Sequence, residues 1–311
     1  MTNSIEEVKQ SFENFNRRFH SENSYLEFIR DIEQGNYEKV ASSEVMKCID
    51  LVLYGSLRDI FESCIDHSTA LYRARLIDFH ESKDELQTKG IHITHDKMTG
   101  YNELNSIEPP IGFSNQGRAN ARGQSVFYAA NERPLACAEI RPGNRDSISL
   151  AKFKVIAPSG IKVIDFHNER SFPKDESSKY SMAKFFTDIM FQFTSPVSVP
   201  TKYRASQYIA DHIRKSGIDG ISYRSMYNDG INYAIFNRNK SNIKYIESEI
   251  IINYSVSNIL VAMDENCSES IATHPSVMFD KKNRIEQTIK DKMKAEIVND
   301  WIFRPSTTDS K

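Results

Sequence analysis

Proline is missing from the first 108 residues of this chain, and only 12 of its 311 residues are glycine. The amino-terminal third is therefore free of the strongest helix breaker. Cysteine is scarce too. Cys48, Cys64, Cys137 and Cys267 lie far apart and none belongs to a CxxC pair, which argues against a zinc site or a redox couple. They read as reduced thiols of a cytoplasmic protein. Neither sign of charge dominates: 40 Lys and Arg face 42 Asp and Glu, a formal charge of −2. That balance lacks the electrostatic footprint of a nucleic-acid binder. An anionic ligand must be met by a local group of cations. No apolar run approaches the ~20 residues that span a bilayer, and the first residues have neither a basic nor an apolar signal region. The expectation is an intracellular protein that engages no membrane.

What is present describes a globular chain, 39% hydrophobic and 26% charged. Residues 1–66 read as helical. Ile5, Val8, Phe12, Phe15 and Phe19 recur at steps of three and four, which lines one helical face. A second helix is expected over Ser24–Glu33 and a third from about Ser43 to Ile65, capped by Ser42 or Ser43. The texture changes at Leu71-Tyr-Arg73-Ala-Arg75-Leu-Ile77, which alternates like a strand. A long connection follows to Pro109-Pro110. Strands are expected at 125–130, 148–155, 161–166, 220–223, 232–236 and through 245–262. Helices are expected at 133–140, 180–193, 204–215 and 281–301. Strands and helices mix without a regular βαβ rhythm, so the class is α+β with a mixed sheet. Residues 1–66 form an amino-terminal helical region, 67–265 the main domain, and 266–311 a carboxy-terminal helix and tail.

One stretch concentrates candidate chemistry. Between Met98 and Ala151 stand five arginines, Arg118, Arg122, Arg133, Arg141 and Arg145, and no lysine. The guanidinium fork matches phosphate oxygens where an ammonium offers a point charge. Arg118 and Arg122 sit in a loop bounded by Gly117 and Gly123, which lets the backbone approach a ligand. The other arginines read as solvated surface. Tyr128 lies on the strand that follows, either as a core tyrosine with a satisfied hydroxyl or as a ring that meets a flat ligand. Glu139 ends an apolar helical turn, where a carboxylate faces solvent, pairs with an arginine or works at a site. Ser225 sits just past a strand, in a segment that runs on to Asn232. It is either a turn serine or a hydroxyl that orients a ligand.

Gly117-Arg118-Ala-Asn120, Tyr128-Ala-Ala, Glu139, Gly217-Ile-Asp219-Gly-Ile-Ser-Tyr223-Arg-Ser225 and Gly230-Ile-Asn232-Tyr-Ala-Ile-Phe236, taken together, resemble the RES domain. Leu71-Tyr-Arg73-Ala-Arg75 matches the usual start of that family, and the likeness runs from about Leu71 to Ala262. Ala119 stands where an aromatic is common, Ala121-Arg122 where a Pro-Pro-like pair is common, and the connection from Ile77 to Pro109 is long. The resemblance implies a fold like that of ADP-ribosyltransferases and NAD+ as substrate. It implies a toxin paired with an antitoxin of the Xre type, with no metal and no bound cofactor. In that reading Arg118 grips the pyrophosphate or an incoming inorganic phosphate. Glu139 holds a ribose hydroxyl and stabilises developing positive charge. Ser225 orients the substrate or the attacking phosphate. Tyr128, Arg73 and Asn232 complete substrate binding.

The chemistry is compatible with that assignment. The nicotinamide of NAD+ is cationic and departs as a neutral ring, so no general acid is required. Carboxylates serve the oxocarbenium-like transition states of glycoside cleavage. Phosphorolysis, hydrolysis and transfer to a protein share such a site and differ in the nucleophile. Two other classes compete. Arg75-x4-His80 has the spacing of a HEPN-type ribonuclease motif, but it falls on an expected strand rather than a helix. The amphipathic stretches at 5–19 and 285–301 could dock a partner or self-associate, as in an inactive binding module.

Overall fold

A computed structural model describes residues 24–253 apart from 56, 94–97, 144, 168–192, 194–202, 226, 228–229 and 240. The helices expected at 5–19 and 281–301, most of that at 180–193, the β structure beyond 253 and Cys267 lie outside the described residues.

In chain order the elements are α1 (Ser24–Gln34), α2 (Tyr37–Ser42), α3 (Glu44–Tyr54), α4 (Arg58–Phe61), β1 (Glu62–Ile65), β2 (Ala70–Leu76), α5 (Lys83–Thr88), β3 (His92–Ile93), β4 (Met98–Thr99), α6 (Glu103–Ser106), β5 (Phe127–Ala130), α7 (Arg133–Glu139), β6 (Ser147–Val155), β7 (Ile161–Asp165), α8 (Arg204–Lys215), β8 (Gly220–Arg224), β9 (Ile231–Ile235) and β10 (Ile243–Ile252). The fold is α+β. Among the described residues no helix is long and apolar enough to cross a membrane.

The chain divides into two compact units, Met1–Leu71, Glu108–Asn131 and Lys154–Lys244 in one, Tyr72–Ile107, Glu132–Phe153 and Tyr245–Lys311 in the other. The first contains the strand order β1-β7-β8-β9-β5. β7 and β8 run parallel and the remaining pairs antiparallel, so the sheet is mixed. One face is covered by helices. Tyr25, Phe28 and Ile32 fall at helical spacing on α1, and Val45, Ile49 and Val52 do so on α3. They pack with Ile209 and Ile213 of α8 against Ile164, Ile221, Tyr223 and Ala234 of the sheet. Each such side chain, fully buried, contributes roughly 1.5–3 kcal/mol. Phe28→Ala would cost about 3–5 kcal/mol by emptying a filled site.

The helix expected from Ser43 to Ile65 is a correction. Ser43 caps α3 as anticipated, its side chain accepting from Met46 N at 3.2 Å. The helix ends at Gly55, whose N–H bonds back to Leu51 O. After the short α4, Glu62-Ser-Cys-Ile leaves as a strand beside β7, with Glu62 opposite Ile164 and Ile65 opposite Ile161. The Glu62 carboxylate then meets Arg58 Nε at 2.6 Å and Lys162 Nζ at 3.0 Å. Strand pairing satisfies the backbone there, an outcome that local helical periodicity does not report.

In the second unit β2, β6 and β10 are neighbours. Ile77 N donates to Ser147 O, and Asn253 N to Asp146 O. The long connection after Ile77 is structured. Ser82 and Glu85 form a capping box that starts α5. β3 and β4 then pair as a short hairpin. Ile77, Leu86, Ile91 and Tyr101 make a small core of their own.

Candidate functional site

The Gly117–Gly123 loop is tied from within, from the sheet and from a helix. Gly117 N donates to Asn120 O at 2.9 Å, closing a tight turn around Arg118 and Ala119. Asn120 is 3% exposed, and its Nδ2 lies 2.9–3.0 Å from the carbonyl oxygens of Asn115, Ala121 and Gln124. Its Oδ1 accepts from the Tyr128 hydroxyl at 2.8 Å, and that hydroxyl accepts from Ala119 N at 2.8 Å. The Tyr128 hydroxyl is thus a fixed part of the loop that carries Arg118. A Cβ on Gly117 would stand 2.6 Å from Asn120 Oδ1 and 2.8 Å from the Tyr128 hydroxyl, so only glycine fits this crossing.

From outside, α8 holds the same loop by its backbone. Gln207 Nε2 donates to Gly117 O at 2.8 Å, Ser206 Oγ to Arg118 O at 2.7 Å, and Arg214 Nη2 to Ala119 O at 3.4 Å. Three successive carbonyls face one helix. Burial pulls Arg214 below the usual guanidinium range, and its guanidinium lies 4.7 Å from the centroid of the Phe236 ring. Arg118 itself is half-buried and donates through Nη1 to Phe193 O at 2.6 Å. Phe193 stacks on Phe166 and tilts against Tyr223.

Strand register brings further candidates to the same sheet face. Tyr128 lies opposite Ala234, and Asn232 opposite both Ala130 and Tyr223. With a side-chain period of two, Tyr128, Asn232 and Tyr223 share a face. Ser225 extends that row one step past β8, its N–H donating to Gly230 O at 3.0 Å. Ser225 Oγ accepts from Tyr227 N at 3.1 Å, and both Ser225 and Asn232 are buried. The first unit therefore holds Arg118, Tyr128, Ser225 and Asn232.

Glu139 and Arg73 belong to the second unit. Glu139 is the last residue of α7 and half-buried, two residues beyond the buried Cys137; Arg73 is half-buried on β2. Of the five arginines singled out, Arg122, Arg133, Arg141 and Arg145 are exposed, with Arg133 paired to Glu249. Arg75 lies on β2 and donates to Ile107 O, while His80 is exposed beyond the strand end. The Arg75–His80 pair is therefore off any helix, contrary to what the ribonuclease motif needs. Among the described residues no group of three His, Cys, Asp or Glu could hold a metal ion.

Ser206, Gln207 and Arg214 escaped the sequence reading. For Gln207 and Arg214 the signal was a polar stripe, Gln207-Asp211-Arg214 at steps of four and three on an amphipathic helix, whereas Ser206 falls on the buried face. Such a stripe usually means a solvated face.

Residues 91–256, more than half of the chain, match the RES domain. The chain belongs to the RES domain family. The RES match contains Arg118, Tyr128, Glu139, Ser225 and Asn232, whereas Arg73 and helices α1 to α4 precede it. Comparison with curated proteins gave no match. Among solved structures, a chain of the crystal structure of the M. tuberculosis MbcT–MbcA toxin–antitoxin complex is similar at 11% identity, with a TM-score of 0.35. The similarity covers 66% of this chain and 94% of that one.

Proposed function

We propose that this RES protein consumes NAD+ by cleaving its nicotinamide–ribose bond, as a phosphorylase that yields nicotinamide and ADP-ribose 1''-phosphate. Family membership carries the reading, because the match contains the arginine loop, the glutamate and the serine segment in order. In the reaction, the bond between the ribose anomeric carbon and the pyridinium nitrogen breaks with its electron pair passing to the ring. A phosphate oxygen forms the new bond to the same carbon. Arg118 grips the pyrophosphate or the incoming phosphate, and its firmly held loop supports a fixed cationic fork. Glu139 takes a ribose hydroxyl and stabilises the oxocarbenium character, a role that rests on its place in the RES pattern. Ser225 and Asn232 orient the substrate, and Tyr128 and Arg73 contribute to binding it.

In the cell this activity acts as a toxin in the cytoplasm that depletes NAD+, held in check by an Xre-like antitoxin. Hydrolysis of NAD+ and ADP-ribosyl transfer to a protein are the two other outcomes of the same bond cleavage. The test is expression of wild type beside Glu139→Ala with cellular NAD+ measured, followed by purified enzyme with and without inorganic phosphate. Wild type should deplete NAD+, Glu139→Ala should not, and phosphate should accelerate the loss. Equal depletion by both proteins removes Glu139 from its role. Loss of NAD+ that is indifferent to phosphate removes the phosphorylase reading.

A further inference from the structure

We propose that Ser206 and Gln207, in the first turn of α8, are positioning residues that aim Arg118 at its phosphate-bearing ligand. The inference rests on the NAD+ reading for the identity of that ligand, and on separate geometry for the device.

Backbone carbonyls fix a loop only when their acceptors are engaged from a rigid element. α8 is such an element, because Ala205, Ile209, Ala210 and Ile213 anchor it in the core on the face that Ser206 shares, with Gln207 at the edge of that face. From it Gln207 engages Gly117 O and Ser206 engages Arg118 O, the carbonyls of the two peptide planes that meet at the Arg118 Cα. Ser206 is 1% exposed, and its hydroxyl also lies 3.0 Å from Tyr203 O, which fixes its direction. One turn further on, Asp211 Oδ1 receives Gln124 Nε2 at 3.4 Å. Gln124 Oε1 in turn accepts from Ala121 N at 2.9 Å. The helix thus holds both limbs of the loop. With Gly117 O and Arg118 O both pointing at α8, the Arg118 Cα–Cβ bond has one direction, and the guanidinium is presented without a search through backbone states. Preorganisation of this kind strengthens binding by removing ordering cost rather than by adding contacts.

Neither residue contacts the ligand in this scheme, so the test must separate aiming from mere folding. Ser206→Ala, Gln207→Ala and Gln207→Glu are made in the wild type and in Arg118→Ala. Gln207→Glu keeps the shape and loses the donor. The first readout is hydrogen exchange of the backbone amides over residues 115–124, which needs no substrate. The second is the kinetics of NAD+ consumption. Gln207→Ala and Gln207→Glu should both raise exchange in the loop at least about tenfold and raise KM for NAD+ about tenfold with kcat within threefold. In the Arg118→Ala background they should change KM by less than twofold, because an aiming residue has nothing left to aim. Unchanged loop exchange overturns the proposal whatever the kinetics show. So does an equal KM effect with and without Arg118, which would be a general structural contribution. If wild type consumes no NAD+ while the exchange effect is present, the NAD+ reading falls and the loop-holding role of α8 stands.

Discussion

Asn120→Asp is the sharpest perturbation of the Arg118 loop, because it changes one atom type and no shape. The Asn120 amide group shares its two hydrogens among three carbonyl oxygens, those of Asn115, Ala121 and Gln124, all within 3.0 Å. The opposite side of the same group accepts from the Tyr128 hydroxyl. A carboxylate keeps the Tyr128 bond and replaces the donor with an anion facing three carbonyl dipoles. Each polar group left unsatisfied in a buried setting costs about 1–3 kcal/mol. Asn115 and Ala121 are exposed, so solvent relieves part of that. The net cost is about 2–4 kcal/mol at neutral pH, or roughly 3–6 °C in thermal midpoint for a chain of this size.

The sign of the pH dependence follows from the same contacts. The folded state resists ionisation of the new carboxyl and raises its pKa above the ordinary value of about 3.9. The folded state then binds more protons than the unfolded one above that pH, so stability falls as pH rises toward the folded pKa. Thermal melts followed by far-ultraviolet circular dichroism at pH 5 and pH 8 should therefore show a larger deficit against wild type at pH 8. A variant within 1 °C of wild type at pH 8, or an equal deficit at both pH values, would refute the network as described.

Two further expectations come from the same unit. Glu108 and Arg238 form an ion pair whose side chains are 15% and 7% exposed, with the Arg238 guanidinium over Phe127. Glu108→Ala should cost about 3–5 kcal/mol by stranding a buried charge, and Glu108→Leu with Arg238→Met should recover most of it. Chemical denaturation of the three proteins decides this, and a double variant as unstable as the single one contradicts it. Tyr233 has its pKa pushed up to about 12, first by burial and then by Asp165 and Asp66. Its contribution to stability is complete below the unfolded value of about 10 and is lost as pH rises through about 12. Tyr233→Phe should blunt the alkaline loss of stability in that window, and matching profiles for variant and wild type would contradict it.

The parts legible in the sequence were those set by local pattern. Alternation at Leu71–Ile77 located β2, and the ranges expected at 148–155, 232–236 and 204–215 coincide closely with β6, β9 and α8. The Gly117–Asn120 motif marked the loop that carries Arg118. Most of the missed pieces depended on a distant partner or on context beyond the local pattern. β1 reads as the end of a helix until β7 offers it a ladder. The capping box at Ser82 was present in the sequence but lay inside what read as a connection. Tyr128 was open between core and ligand until Ala119 N and Asn120 Oδ1 engaged its hydroxyl.

The sequence by itself determined the α+β class, the family and the identity of Arg118, Tyr128, Glu139, Ser225 and Asn232 as candidates, because periodicity and motif order are properties of neighbouring residues. Only the tertiary structure decided what holds Arg118. Gly117 and Gln207 are 90 positions apart, and a hydrogen bond over that separation depends on how a helix packs against a sheet, which no local pattern encodes.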